Sequence, residues 1–564
     1  MKKISALYIF LVTLILTSVS CKDFLDTPPL SELSESSFYK SPGDAAYAVN
    51  GMYDAFFELE GGDSPAPYMD ILTDLLFLRN SWEVGFFPAT NGSLTTDNWW
   101  TRDRMWNNKY IYIRNANILF ENIDKFRGQI PDTELNNYKG QARAIRAFLY
   151  TRLLQIFSDA PLITKPLAVN ELPKESPAND IINFIMSELD QAVIELPAEP
   201  SDAKHGRLTK YAAYVLKARA AMYVAGFYNR PEYYQVAADA LEEVVNSGKF
   251  DLFQKYMDPN RDFGMLFREE NEGSENKEIL LSLQFVGTIA GQRNNISTVF
   301  AGNGWKGIQA HQNYIDMFEC KHGWQAHGIS FAEMNKYRDT KALPSPLAGK
   351  CPDYNPQNEF GNRDPRLNQT FFNPNIKGSG GAITKSGEFW AEADRTFWVD
   401  QDNDAYFFKK MVEPSLFTPV YEPWNGGNNY PLIRYADVLL LYAEALNEIN
   451  RTADALPYVN DVRQRAGMPQ VNTADKNVLL EIIKHERKIE LIAEQVLYYD
   501  YKRWRDLEET MPYGAVFYGF RREPFGQVSR PMETKYLVYP RYYNWAIPTN
   551  EIRNNPNLTP SPNW

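Results

Sequence analysis

One pair of residues in the sequence resembles part of a zinc-protease motif. His485 is followed by Glu486 in a stretch with helical periodicity. The motif needs a second histidine four residues after the first, so that both reach one metal ion from the same helix face. Ile489 stands there instead, which favours a scaffold salt-bridge network over metal-dependent hydrolysis. The residues assigned to this network are Glu486, Arg487, Glu490, Glu494 and Arg503.

Two further groups have the residue types of metal ligands without the usual spacing. Cys320, His322, His327 and Cys351 offer sulfur and nitrogen, but their spacing matches no common structural zinc site. In a disulfide-permissive compartment the two cysteines could instead pair, which the sequence leaves open. Residues 400–404 resemble the opening of a calcium loop that lacks the required glycine and bidentate glutamate. A solvated acidic turn is favoured there, with a weak calcium site as the alternative.

Several stretches have the apolar spacing of helices and must position any functional side chain. Thr209 is a suitable N-cap for one of them, and Pro161 follows the end of another. The predicted helices are 141–157, 209–227 with a partner ending near 248, 434–449 with a partner starting after 452, and one long helix over 477–505. Paired helices with short turns predict a mainly α, tetratricopeptide-like helical-hairpin scaffold.

Between residues 250 and 430 the pattern changes to long irregular loops. Gly, Asn, Pro and aromatic residues dominate, with short strand-like runs such as 278–283. The aromatic content argues against disorder. We therefore expect long loop insertions with a few short strands, carrying function on a rigid scaffold.

The composition and the N-terminus indicate where the protein acts. A formal net charge of -12 argues against nucleic-acid binding, which needs a basic surface. Residues 1–20 have the basic start, the short apolar run and the small residues of a signal peptide. Cys21 follows directly, so we expect a lipoprotein signal with lipidation at Cys21 and stable membrane anchoring by several acyl chains.

A set of motifs in a fixed order resembles the SusD/RagB family of surface lipoproteins. The resemblance covers nearly the whole mature chain. The matching segments are CKDFLD at 21–26, NGMY at 50–53, ARAIRAF at 142–148, FSDAPL at 157–162, DPRL at 364–367, PLIRYADVLL at 431–440, AEA at 443–445, VRQRAG at 462–467, ERKIEL at 486–491, DYKRW at 500–504, and IP, EI and NPNL near 547–558. Each segment alone is weak, but their order is specific.

The resemblance implies a fold, a location and partners. It implies one SusD-like domain over 21–564, with an N-terminal part over about 21–230 and a C-terminal part over about 270–564. It implies a lipid anchor in the outer membrane of Bacteroidota-type bacteria, within a polysaccharide-utilisation system. Members of this family cover a TonB-dependent, SusC-like transporter barrel and deliver glycans, or in some branches peptides, for import.

Glycan binding needs aromatic platforms for sugar C–H faces and polar groups for paired hydroxyls. One neighbourhood of this kind spans residues 70–102, and a second contains Trp305, Tyr314 and Trp324. The family's ligand site also draws on these two regions. The ligand-binding residues we predict are Asp74, Arg79, Trp82, Trp99 and Trp305. Trp106 and Trp504 are assigned to the core of the helical scaffold and not to the ligand site.

The leading interpretation is therefore a glycan-binding protein without catalytic residues, cofactor or metal. A peptide receptor of the same transporter-associated type is the alternative within binding proteins. A glycoside hydrolase would need two carboxylates facing each other across the bond, and none of the 71 acidic residues stands out for that role. A purely structural role in the transporter complex is a further alternative.

Overall fold

The structure is a computed structural model of the chain. It describes residues 38–57, 68–78, 87–168, 170–199, 205–289, 292–300, 307–340, 345, 347–356, 358–373, 405–416, 422–519 and 531–564. The predicted signal peptide, Cys21 and the acidic run 400–404 lie outside these residues.

In the described part of the chain, ten helices of eight residues or more form the scaffold. They are α1 (Pro42–Met52), α2 (Asn108–Asn122), α3 (Asp132–Phe157), α4 (Ala178–Glu195), α5 (Lys210–Phe227), α6 (Glu232–Val245), α7 (Tyr435–Glu448), α8 (Thr452–Arg465), α9 (Lys476–Glu490) and α10 (Leu497–Trp504). From α2 to α8 each helix packs against the next one along the chain. The contact between α6 and α7 bridges the long insertion that separates them in sequence. This stacking confirms the tetratricopeptide-like scaffold.

The scaffold helices begin and end largely where local sequence signals predicted. Thr209 caps α5, its hydroxyl oxygen accepting a hydrogen bond from the Ala212 amide. The helix predicted from residue 141 starts earlier, at Asp132, because a polar first turn hides the apolar spacing. Within it, Arg143 and Arg146 both bind Glu188 of α4 at 2.6 Å, which ties the two helices together.

The single long helix predicted over 477–505 is wrong, because the chain breaks between α9 and α10. Ala493 and Gln495 have positive φ values of 67° and 60° in this break. Carbonyl groups that a continuous helix would use internally point to other partners. The Ile492 oxygen accepts a hydrogen bond from Lys410 Nζ at 2.8 Å, and the Ala493 oxygen accepts one from the Tyr430 hydroxyl at 2.8 Å. Long-range contacts therefore override the local helical pattern.

Seven short strands among the described residues form three small antiparallel sheets. The strands are β1 (Leu76–Leu78), β2 (Ile279–Leu283), β3 (Ile308–Ala310), β4 (Tyr406–Phe407), β5 (Tyr430–Arg434), β6 (Ala515–Tyr518) and β7 (Pro531–Lys535). The sheet orders are β1-β3-β4, β2-β5 and β6-β7, with Phe77 opposite Gln309 in the first. β2 confirms the strand predicted at 278–283, and its pairing with β5 closes the base of the insertion.

Short helical turns complete the described structure. They are Asp54–Phe57, Met69–Leu72, Phe87–Asn91, Thr101–Asn107, Ile123–Phe126, Asp262–Met265, Glu269–Asn271, Ile296–Phe300, Gln312–Met317, Gln325–His327, Phe331–Met334, Arg366–Thr370, Pro414–Leu416, Leu507–Thr510, Arg541–Tyr543 and Thr549–Asn554. Among the described residues, no helix combines the length and apolar character needed to cross a membrane.

The charged residues of α9 and α10 form the predicted salt-bridge network inside the core. Glu486 binds Arg366 at 2.5 Å and Arg463 at 3.0 Å. Arg434 binds Glu490 at 3.0 Å and Glu494 at 2.7 Å. These groups are almost fully buried, so each charge depends on its partners for compensation.

Candidate ligand-binding cleft

The predicted ligand-binding residues fall in two groups. Arg79, Trp82 and Trp305 lie outside the described residues, so their assignment stays a prediction. Asp74 and Trp99 are described, and they occupy very different environments.

Asp74 is 2% exposed and lies just before β1. One carboxylate oxygen accepts a hydrogen bond from the Tyr501 hydroxyl at 2.6 Å, and its main-chain oxygen accepts one from Asn313 Nδ2 at 2.8 Å. Asp70 is buried as well, and its carboxylate accepts the Leu497 amide at the start of α10 at 3.1 Å. Both acids therefore hold scaffold segments together, and direct ligand contact by Asp74 stays a prediction.

Trp99 has an accessible aromatic face at the start of a π-helical turn. Its side chain is 46% exposed, whereas the neighbouring Trp100 is 2% exposed and packs 5.9 Å from the Trp545 ring. Asn98 fixes this arrangement, because its side-chain oxygen accepts a hydrogen bond from the Thr101 amide at 3.0 Å. The sequence pair Trp99-Trp100 thus divides into one surface residue and one core residue.

The turn that follows Trp99 leads into a cleft of about 600 Å³. Three separate segments line it: α2, the irregular stretch 161–173, and the C-terminal turn Thr549–Asn554 with the residues after it. A hydrogen bond of 3.0 Å from the Thr549 amide to the Thr96 oxygen joins the C-terminal segment to the region before Trp99. The cleft size lies within the roughly 300–1,000 Å³ typical of small-ligand sites.

Charged and amide side chains form what we call the polar rim: Arg102, Asp103, Asn107 and Glu551. Arg102 Nε lies 2.7 Å from Asp103 Oδ1, and Asn107 and Glu551 line the cleft. The hydrogen bond from Arg102 lowers the pKa of Asp103, and burial raises the pKa of Glu551 while Arg102 opposes that rise. Asn107 and the partly buried Glu551 therefore face the cleft, and the Arg102–Asp103 ion pair lies beside them.

The walls of the cleft are mainly apolar and are firmly attached to the scaffold. Ile111, Leu167 and Leu172 line it and are exposed, which is unusual for large aliphatic residues grouped together. The stretch 161–173 is held in place because the Tyr110 hydroxyl donates to the Pro161 oxygen at 3.0 Å. Asn117 Nδ2 likewise donates to the Ile163 oxygen at 2.9 Å. Such anchoring gives a preformed rather than a collapsible groove.

The remaining tryptophan and tyrosine predictions are partly corrected by burial. Tyr314 and Trp324, grouped with Trp305 in the second neighbourhood, are fully buried core residues. Trp106 is buried as predicted, although it also lines the cleft. Trp504 is partly buried, and its Nε1 donates a hydrogen bond to Glu444. Sequence reasoning missed the cleft itself; its one local signal is the run of prolines and leucines over 161–173.

Comparison with known proteins gives consistent matches along the chain. A family model described as "SusD family" (SusD_RagB) matches residues 285–564, and one described as "Starch-binding associating with outer membrane" matches residues 23–222. SusD-like protein P2 of Formosa agariphila is 28% identical, with 98% of each chain covered.

Solved structures share the fold over almost the full length. A SusD-like protein from Bacteroides fragilis superimposes with a TM-score of 0.75 at 22% identity, covering 95% of this chain and 100% of that chain. A SusD-like carbohydrate binding protein from the same species gives a TM-score of 0.74 at 24% identity, covering 93% of this chain and 100% of that chain.

Proposed function

We propose that this chain, which belongs to the SusD/RagB family, captures oligo- or polysaccharide at the cell surface and performs no chemistry on it. The observation that carries the proposal is Trp99, an exposed indole three residues before the Arg102–Asp103 pair. It precedes the turn Thr101–Asn107, whose last two residues line the cleft. The ligand class is supported by relatives. One matching family model is described as starch-binding, and one structural neighbour is described as carbohydrate binding.

Trp99 and the polar rim together supply what a sugar requires. An exposed indole face packs against the C–H face of a sugar ring at low entropic cost, because a tryptophan side chain has only two rotatable bonds. Arg102, Asp103 and Asn107 offer donors and acceptors for neighbouring hydroxyl groups, and charge-assisted bonds are the stronger ones. In this proposal the cleft receives the sugar units of the bound glycan that extend past Trp99.

The proposed partner is a SusC-like, TonB-dependent transporter barrel in the outer membrane, to which the captured glycan passes. The proposed anchor is an acylated Cys21. Support comes from the family model whose description includes association with the outer membrane. Capture and hand-off need only binding of the intact glycan. The site therefore does not have to stabilise the transition state of any reaction.

Affinity gel retardation against a panel of plant, host and microbial polysaccharides tests the proposal, with released reducing ends measured in parallel. Trp99→Ala is expected to weaken binding about fivefold or more and so to reduce retardation, because loss of one stacking platform costs about 1 kcal/mol or more. Trp424→Ala is the matched control, since Trp424 is 49% exposed but lies in the loop before β5. Retardation that is as strong in Trp99→Ala as in wild type contradicts the site, and released sugar contradicts the absence of catalysis.

A peptide ligand is the second candidate, favoured by the aliphatic walls of the cleft. Ile111, Leu167 and Leu172 suit apolar side chains better than sugar hydroxyl groups. A peptide held there would depend on these walls more than on Trp99. Binding of peptides that is lost in Leu172→Asp but kept in Trp99→Ala would therefore replace the glycan proposal with this one.

A further inference from the structure

The segment around the disulfide holds a group of metal-ligand atoms that glycan capture does not use. Cys320 and Cys351 are joined by a disulfide bond with a Cα–Cα distance of 6.5 Å, and both are buried. The ligand atoms of Cys320, Cys351 and His327 all lie within 4.8 Å of one another. We call these three residues the thiol–imidazole cluster.

His327 points a buried nitrogen into this segment. Its Nε2 atom is inaccessible to solvent and has no hydrogen-bond partner among the described residues. A buried polar atom without a partner costs free energy, and a bound metal ion would satisfy this one. The neighbouring His322 is already engaged, because its Nε2 lies 3.0 Å from Asp353 Oδ2.

The backbone that carries the cluster is held by contacts other than the disulfide. Glu319, next to Cys320, binds Arg463 of α8 at 2.5 Å and accepts the Trp324 amide at 2.9 Å. The Cys351 amide donates to the Leu347 oxygen at 2.8 Å. None of these contacts involves a sulfur atom, so we expect them to remain and to keep the two sulfur atoms near His327 after reduction.

We propose that the reduced form of this protein binds one zinc ion through Cys320, Cys351 and His327, with water in the fourth position. Two thiolates and one imidazole are a ligand set that zinc favours, and three protein ligands leave one open position in its tetrahedral shell. The oxidised form cannot bind in this way, because both sulfur atoms are committed to the disulfide. The site is thus available only under reducing conditions.

The chemistry balances with an external dithiol as the reductant. The dithiol gives two electrons and two protons to the disulfide, becoming a disulfide itself and leaving Cys320 and Cys351 as thiols. Zinc then displaces the two thiol protons and bonds to both sulfur atoms and to the neutral His327 ring. The competing interpretation is that the disulfide is only a structural crosslink, and the experiment below separates the two.

The test uses tag-free mature protein carrying Cys21→Ser, so that Cys320 and Cys351 are the only cysteines left of the three in the sequence. One sample is reduced with dithiothreitol under anoxia and desalted to remove the reductant, and its free thiols are counted beside those of an untreated sample. Zinc chloride is then added, and retained zinc is measured by atomic emission after desalting. We expect about one zinc per reduced chain and almost none in the oxidised chain.

Variants identify the ligands. Cys351→Ser is expected to abolish retention, and His327→Ala is expected to weaken zinc binding by at least about tenfold in competition with a chromogenic chelator. His205→Ala is the matched control, because His205 is a half-buried histidine whose Nε2 contacts the Gly273 oxygen elsewhere in the fold. The proposal is overturned if reduced protein retains no zinc, if Cys351→Ser retains as much as wild type, or if the disulfide resists dithiothreitol in the folded chain.

Discussion

Glu490 lies fully buried among three guanidinium groups. It contacts Arg366 and Arg434 at 3.0 Å each and forms a short contact with Arg465. Burial would raise the pKa of this carboxyl group, but the three arginines and Lys410 outweigh burial and lower it. The Glu490 carboxylate balances several buried positive charges. Removing it alone leaves those charges unpaired and lowers stability strongly, whereas replacing a whole buried ion pair by apolar residues often changes stability little.

Glu490→Gln tests this balance while keeping the shape of the side chain. The variant leaves buried guanidinium charge uncompensated, so we expect the free energy of unfolding to fall by about 3–5 kcal/mol. The measurement is the denaturant midpoint. Glu508→Gln, at an exposed position, should stay within about 0.5 kcal/mol of wild type. Equal midpoints for the two variants would show that the network contributes nothing.

Asp437 makes part of the stability depend on pH. Burial would raise its pKa, but Arg219 at 2.8 Å and Arg487 at 2.7 Å outweigh burial and lower the pKa from 3.8 to about 2. A depressed carboxyl pKa stabilises the folded state above the unfolded pKa, and the contribution is lost as pH falls from about 4 to about 2. The shift corresponds to about 2 kcal/mol.

Comparison of wild type with Asp437→Asn measures this pH dependence. The variant should be clearly less stable than wild type at about pH 6, and the gap in unfolding free energy should narrow as pH falls below about 4. Urea midpoints across this range give the gap. A difference that stays constant down to about pH 2 would mean that the Asp437 pKa is not depressed.

Close contact between helices depends on small residues at particular positions. Gly226 lies near the end of α5, where an added Cβ would meet the Arg503 carbonyl oxygen of α10 at 2.4 Å. Backbone cannot move aside as a flexible side chain can. The absence of a side chain at residue 226 therefore sets how closely α5 and α10 approach.

Gly226→Ala is expected to lower stability by about 1–3 kcal/mol, as other overpacked substitutions do. Gly51→Ala is the matched helical control, because nothing lies within 4 Å of its added Cβ. Alanine has the higher helix propensity, so the control should be neutral or more stable by up to about 1 kcal/mol. Thermal denaturation of the two variants compares them directly, and a harmless Gly226→Ala would contradict the tight contact.

Contacts between distant parts of the sequence join the molecule into one unit. Arg219 of α5 binds Asp437 of α7, and Asp437 also binds Arg487 of α9. The β2–β5 pair joins the two ends of the insertion, and α6 packs on α7 across it. The N-terminal and C-terminal helices therefore bury apolar and charged surface against each other.

The whole chain should accordingly unfold in one cooperative step. Differential scanning calorimetry is expected to give a single transition whose calorimetric enthalpy equals the van't Hoff enthalpy. Far-UV circular dichroism and tryptophan fluorescence should report the same midpoint. Two resolved transitions would indicate that the N-terminal and C-terminal parts are separate domains.

The sequence by itself determined the helical scaffold, because periodicity, caps and helix stops are encoded within a few neighbouring residues. The Thr209 cap, the strand at β2 and the charged character of α9 were all predictable in this way. The family motifs added the order of these parts along the chain. Trp99 was predicted from the sequence as one of five ligand-binding residues, and that role stays a prediction.

Tertiary structure decided what depends on residues far apart in sequence. The break between α9 and α10 exists because Lys410, Tyr430 and Asp70 bind its backbone. The cleft forms only where α2, residues 161–173 and the C-terminal turn meet. Burial separates Trp99 from Trp100 although they are adjacent and identical in type, because side-chain exposure is set by what packs against each residue rather than by its neighbours in the chain.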